Sequence, residues 1–173
     1  TPSLTHTIGG LAGSIKNATI SGVSVTGTID GTFRKNTTLG GLVGYTNEAN
    51  SSIDRTYTDV DITVSRSVGG ANPYIHIGGL FGIDVASTTP LTISNSYAHG
   101  DILVNNSNGA TSLGGLGGSG LGTSLSNAYS SGSLTLVDAT MDSQRIGGLI
   151  GAIGGDNLEI SNVFSVSQIT APD

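Results

Sequence analysis

The chain contains no cysteine and no tryptophan, and only one methionine and four prolines among its 173 residues. Without cysteine there are no disulfides and no thiolate metal sites. Charged residues make up 10% of the chain, well under the usual quarter or so. The six Lys and Arg leave a formal charge of -6, a poor basis for binding phosphates, so no nucleic-acid partner is expected. No apolar run approaches the ~18 residues of a membrane-spanning helix, and no span is expected in this chain. Strong helix formers are sparse and no 3.6-residue apolar stripe persists, which argues against helices. Low charge alone would fit disorder. The apolar residues, however, recur at regular places and are mostly Ile, Leu and Val, which favour strands.

What the chain has in excess is glycine, 28 residues, and much of it lies in one recurring phrase: an aliphatic residue, Gly-Gly-Leu, any residue, Gly. The copies are IGGLAG (Ile8 to Gly13), LGGLVG (Leu39 to Gly44), IGGLFG (Ile77 to Gly82), LGGLGG (Leu113 to Gly118) and IGGLIG (Ile146 to Gly151), with starts 31, 38, 36 and 33 residues apart. Self-similarity at such a period marks a stacked repeat architecture. Twelve to sixteen residues into each copy stands an aliphatic anchor: Ile20, Ile53, Ile93, Leu125, Ile160. Counting from the anchor, the second column reads Gly22, Arg55, Asn95, Asn127, Asn162, and the fourth reads Ser24, Tyr57, Tyr97, Tyr129, Phe164. The ninth column is Ile29, Ile62, Ile102, Leu134, Ile169, and the eleventh is Gly31, Val64, Val104, Leu136, Ala171.

Strand alternation places the ninth and eleventh columns inward together, and puts anchor and aromatic inward on the strand before them. The Asn column would then also face inward, unless it occupies a bend where amides hydrogen-bond from rung to rung. Gly27, Gly100 and Gly132, seven past the anchor, fit a corner of positive φ, with Val60 and Ser167 departing. Each repeat reads as about three short strands, one of them at the Gly-Gly-Leu phrase. The expected fold is all-β, a parallel β-solenoid of about five coils, one per repeat of 31–38 residues. At ~4.8 Å per coil the rod would be roughly 24 Å long. Residues 1–173 form a single repeat domain, with repeats at 8–38, 39–76, 77–112, 113–145 and 146–173. The connectors NEANSS (47–52), SRSVGGANPY (65–74), DVASTTP (84–90) and NNSNGATS (105–112) vary in length and composition, as binding edges of solenoids do.

The Gly-Gly-Leu-x-Gly phrase followed by Ile-x-Asn-x-Tyr-x-x-Gly resembles the GLUG repeat of large bacterial surface and secreted proteins. These include filamentous-haemagglutinin-like adhesins and the non-catalytic regions of immunoglobulin A peptidases. The third and fourth copies match best, through Ile93, Asn95, Tyr97 and Gly100 and through Leu125, Asn127, Tyr129 and Gly132. The first departs at Gly22 and Ser24, the second at Arg55 and Val60. The resemblance implies an extracellular or cell-surface, secreted β-solenoid stalk or adhesive region and carries over no catalytic residues.

Other chemistry in the sequence is thin. Gly115 to Gly120 matches G-x-G-x-x-G, but a dinucleotide loop needs a following helix, and LGTSLSNAYS after it reads as strand and turn. His6, His76 and His99 lack metal-ligand spacing and read as surface or turn histidines. Asp59 and Asp61 alternate on one strand, and Gly154-Gly155-Asp156-Asn157 faintly resembles a calcium turn, yet neither recurs. A polysaccharide-active enzyme would cluster its acids and bases. Here Lys16, Arg34, Lys35, Arg55, Arg66 and Arg145 are scattered, and adjacent Asp54 and Arg55 are expected on opposite faces. An ice-binding rank fails where Thr26 and Thr28 align with Asp59 and Asp61. Sequons begin at Asn17, Asn36, Asn50 and Asn105, about as many as chance supplies. No catalytic, cofactor or metal site is therefore assigned, and no enzyme activity is expected. The expected role is a structural or adhesive module. Its partner would be a host or neighbouring-cell surface glycan or protein, met through the connectors, or further copies of itself stacked head to tail into a filament.

Overall fold

The computed structural model describes residues 5–47, 50–66, 73–85, 89, 91–105, 109–138, 143–155 and 158–172. Among these residues all regular structure is strand, and every strand pair is parallel and joins equivalent segments of successive repeats. The chain is a parallel β-solenoid. Four full turns carry it from His6–Gly9 to Gln144–Gly147, and the fifth repeat runs on to Gln168–Thr170. The columns pair as aligned in sequence: Ile93 with Ile53 and Leu125, Tyr97 with Tyr57 and Tyr129, Ile102 with Ile62 and Leu134.

The Gly-Gly-Leu phrase is a corner of the coil, between two strands rather than within one. In the third repeat a strand ends at Ile75–Gly78 and the next begins at Phe81–Asp84, in a different sheet. The corner is hydrogen-bonded along the axis: the Gly79 N–H donates to the Gly115 carbonyl (3.1 Å) and that of Leu80 to the Leu116 carbonyl (2.8 Å). At these corners the Cα positions face the backbone of the next coil, where a side chain has no room. A Cβ on Gly79 would collide with the Gly115 carbonyl oxygen and stand 2.6 Å from the Ala98 Cβ, so the glycine is required by contact rather than by φ.

The aromatic column does not lie inward. At the second position after the anchor the backbone is left-handed in every coil, with φ of 66° at Gly22, 48° at Arg55, 49° at Asn95 and Asn127, and 52° at Asn162. Asn and Gly tolerate this conformation best. One left-handed residue resets the strand alternation. Thr56, Ser96 and Ala128, and then Thr58, Ala98 and Ser130, turn inward and are buried, and the aromatics of the fourth column turn out. The inward hydroxyls are satisfied by the corners: Thr58 donates to the Gly79 carbonyl (2.9 Å) and Ser130 to that of Gly148 (2.6 Å), as buried polar groups require. Gly27, Gly100 and Gly132 do have positive φ (140°, 127° and 107°). The strands break there in the third and fourth coils, between Tyr97–His99 and Ile102–Asn105 and between Ser124–Ser130 and Ser133–Val137, whereas Ser24–Phe33 and Tyr57–Arg66 run through the equivalent position.

The core fills in two clusters. Leu42, Leu80 and Leu116 from the corners pack with the anchors Ile53, Ile93 and Leu125. Leu39, Ile77 and Leu113 pack with Ile62, Ile102 and Leu134 from the ninth column. Burying one such side chain is worth about 1.5–3 kcal/mol. A carboxylate is also buried: Asp84 accepts from the hydroxyls of Thr46 (2.7 Å) and Thr123 (3.0 Å), which reach it from the coils on either side.

Candidate functional site

The left-handed bend and the outward aromatic column place two ladders side by side on the solvent face of the third sheet. In the amide ladder, Asn127 Nδ2 donates to Asn95 Oδ1 and Asn162 Nδ2 to Asn127 Oδ1, each at 3.2 Å. In the ring ladder, Tyr97 stacks on Tyr129 (4.7 Å between centroids, 4° between planes) and Tyr129 on Phe164 (5.0 Å, 3°). Tyr57 lies 4.4 Å from Tyr97 but is tilted by 38°. Stacking along the axis covers the ring faces and shows solvent their edges. Partial desolvation in the stack pushes the Tyr129 phenol above its ordinary value, with a smaller contribution from Tyr97.

The amide ladder continues into an ion pair. Arg55 Nε lies 2.9 Å from Asp54 Oδ2, contrary to the expectation that these neighbours face opposite sides. The left-handed φ of Arg55 swings its side chain back over Asp54 and down one coil, where Nη2 donates to Ser21 Oγ (3.0 Å). The other Asp54 oxygen accepts from Ser94 Oγ (2.8 Å) and Asn95 Nδ2 (2.9 Å). The Asn95 and Ser94 hydrogen bonds, more than the Arg55 charge, hold the Asp54 carboxyl below its usual range.

Both ladders stop short of the first coil, whose columns carry Gly22 and Ser24. The result is an open groove of about 450 Å³ bounded by Gly22, Ser24, Arg55, Tyr57, Asn95 and Tyr97. A Cβ added at Gly22 would meet nothing within 4 Å, so the space is vacant. Beyond it, Tyr57 hydrogen-bonds to Asp59; desolvation first and that bond second raise its phenol pKa.

The remaining candidates separate. Thr26 pairs with Asp59 and Thr28 with Asp61, as aligned in sequence. Asp61 Oδ1 accepts from the Asp101 N–H (2.8 Å), and Asp101 accepts from the Ser133 N–H and hydroxyl (both 2.7 Å), which keeps its carboxyl below the usual range. No group of three or more His, Asp or Glu able to hold a metal ion occurs among the described residues. Gly115 and Gly117 belong to the corner and lead into the strand Gly117–Leu121. His6 and His99 are exposed, and His99 Nδ1 lies 2.8 Å from Ser131 Oγ. His76 corrects the expectation of a surface histidine. It is partly buried beside the Tyr74 ring (5.2 Å), its Nδ1 has no partner, and desolvation, with Arg145 adding, drops its pKa to about 4. The variable connectors 47–52, 65–74, 84–90 and 105–112, and the turn at Asp156 and Asn157, lie partly or wholly outside the described residues.

The groove was signalled in the sequence by departures. Gly22 and Ser24 break the columns of the first copy, and Arg55 breaks the second. Which face those breaks open onto depends on the bend, which column alignment does not reveal. No family model matches the chain, and neither a curated protein nor a solved structure matches it.

Proposed function

We propose that this chain is a structural and adhesive module of an extracellular bacterial surface protein, built from GLUG-type repeats and without catalytic activity of its own. The observation that carries the reading is the outer face of the third sheet. Amide and ring contacts repeat there from rung to rung, with one ion pair at the second coil, fixing polar and aromatic groups in an array suited to recognition. The repeat resemblance and the changing connectors support the same reading. An array of surface glycans and matrix proteins, probed with folded material, tests it. Selective retention on one class is expected, and a blank array would sink it. Incubation with polysaccharides should yield no product.

A second reading, head-to-tail assembly into a filament, draws on the last coil. Among the described residues its strands have an edge without a partner strand, and Ile160, Phe164, Val166 and Ile169 are exposed there. Such an edge templates further strand pairing. X-ray scattering that shows rods lengthening with concentration would favour assembly, and a constant monomer would exclude it for the isolated chain.

A further inference from the structure

The geometry points to the groove at the first coil as a subsite for one neutral pyranose ring of a glycan, seated where the ring ladder omits a rung. The proposal rests on the adhesive reading and gives it a place and a ligand chemistry.

Three observations carry it. The first is the free ring face. Tyr97 and Tyr129 are covered by ladder neighbours, whereas Tyr57 has Tyr97 on one side and, on the other, only Ser24, its backbone partner in the first coil. At the ~4.8 Å spacing of coils, a ring seated over Ser24 stands at stacking distance from Tyr57, within the 4.5–7 Å that ring pairs adopt. The open tilt of Tyr57, 38° against 3–4° elsewhere in the ladder, goes with that uncovered face.

The second is a fixed hydrogen-bonding rim. Arg55 is exposed, yet its guanidinium is held by Asp54 through Nε and by Ser21 through Nη2. Of five N–H donors in a fixed fork, three remain to meet hydroxyl or ring oxygens. Ser24 adds a hydroxyl that can donate or accept. A pyranose matches this arrangement because its C–H face is apolar while its rim carries hydroxyls. A bare aromatic side chain from a partner protein would stack on Tyr57 but leave the Arg55 donors unmet.

The third is charge. Arg55 is already neutralised by Asp54, and Asp59 lies beside Tyr57. With its one cation offset by Asp54, the groove offers no net positive charge to draw an acidic sugar, and a neutral ring is the expected occupant.

The test is saturation-transfer NMR on the whole chain, with methyl β-glucopyranoside and methyl β-galactopyranoside as probes, methyl β-glucuronide as the acidic arm and p-cresol as the aromatic arm. Transfer to the C–H protons of at least one neutral glycoside is expected. Ser24→Tyr would supply the missing rung and fill the groove while continuing the ladder. It should cut the transfer at least tenfold with the fold retained by circular dichroism, and Tyr57→Leu should do the same. No transfer from the wild-type chain, transfer unchanged in Ser24→Tyr, or stronger transfer to the glucuronide or p-cresol would overturn the proposal. Glycan-array binding that survives Ser24→Tyr would leave the adhesive reading standing and remove the groove. Glycoside transfer abolished by Ser24→Tyr alongside a blank array would keep the groove and remove the adhesive reading.

Discussion

The middle coils and the last coil are written in the same columns and bury them very differently. Ile53 and Ile93 are 0% and 1% exposed, whereas Ile160, in the same column, is 48% exposed; Ile62 and Ile102 are 0% and 2% exposed, and Ile169 is 47%. The residue type is unchanged, so the difference comes from the neighbour. The last coil, with a neighbour on one side, leaves its inward residues half exposed, while the first coil, also with one neighbour, still holds Ile20 at 8% exposed. Stability is then a sum of coil terms and nearest-neighbour interfaces, with the end coils short of one interface. The first coil shows the same rule on the outer face. Where a column residue is missing, as at Gly22 and Ser24, the neighbouring coil's Arg55 and Tyr57 are left uncovered, and a groove replaces a rung.

The sharpest way to break this comparison is at a glycine corner. Gly79→Val places a side chain against the Gly115 carbonyl and the Ala98 Cβ and should cost about 4 kcal/mol or abolish folding. At Gly154 a Cβ would meet only Leu121 Cδ2, at 3.8 Å, and the same substitution should cost less than about 1 kcal/mol. Urea denaturation separates the two. Truncating the ninth column should show the same contrast more gently. Ile62→Ala should lose about 2–5 kcal/mol through cavity formation, and half-exposed Ile169→Ala under about 1 kcal/mol. Equal losses at the two sites would mean that the last coil is covered in solution.

How much of this could be read from the chain alone differs by feature. The columns fixed the register, because a stack of parallel coils pairs like with like, and Ile102 and Leu134 did what their spacing required. The amide ladder followed from Asn95, Asn127 and Asn162 standing in one column. The facing of the aromatics did not follow. A single left-handed residue resets alternation, and its presence at Arg55 is not written in residue type. The partial burial of His76 was hidden for a different reason, since it depends on the Tyr74 ring and on the coils stacked on either side.

His76 sharpens the comparison through pH. Its pKa falls from 6.5 to about 4 on folding, so the folded state favours the neutral ring. The stability tied to that ring is fully present above pH 6.5 and is lost as the pH falls towards 4, by up to about 3 kcal/mol. Urea midpoints for the wild type and His76→Phe should separate as the pH falls from 7 towards 4, the wild type losing stability that the variant keeps. Parallel pH profiles would show that the ring is free to protonate in the folded chain. The lowered carboxyls of Asp54 and Asp101 act in a lower window: their contribution stands above the ordinary carboxylate range and fades as the pH drops below it.

The smallest effect separates bend from ladder. Asn127→Ala loses both the left-handed preference and the two amide contacts and should cost about 1–2 kcal/mol. Asn127→Gly keeps the backbone freedom and loses only the amides, so it should recover about half of that loss. A glycine variant as weak as the alanine variant would place the whole effect in the ladder.

The central claim, that each coil is secured by its neighbours, is tested most directly by native-state hydrogen exchange read amide by amide. The slowest exchange is expected at Ile62, Leu80, Phe81 and Ile102 in the middle coils. Protection should fall by orders of magnitude towards Ile160, Phe164 and Ile169. Uniform protection across all five coils, or a last coil as slow as the third, would contradict it.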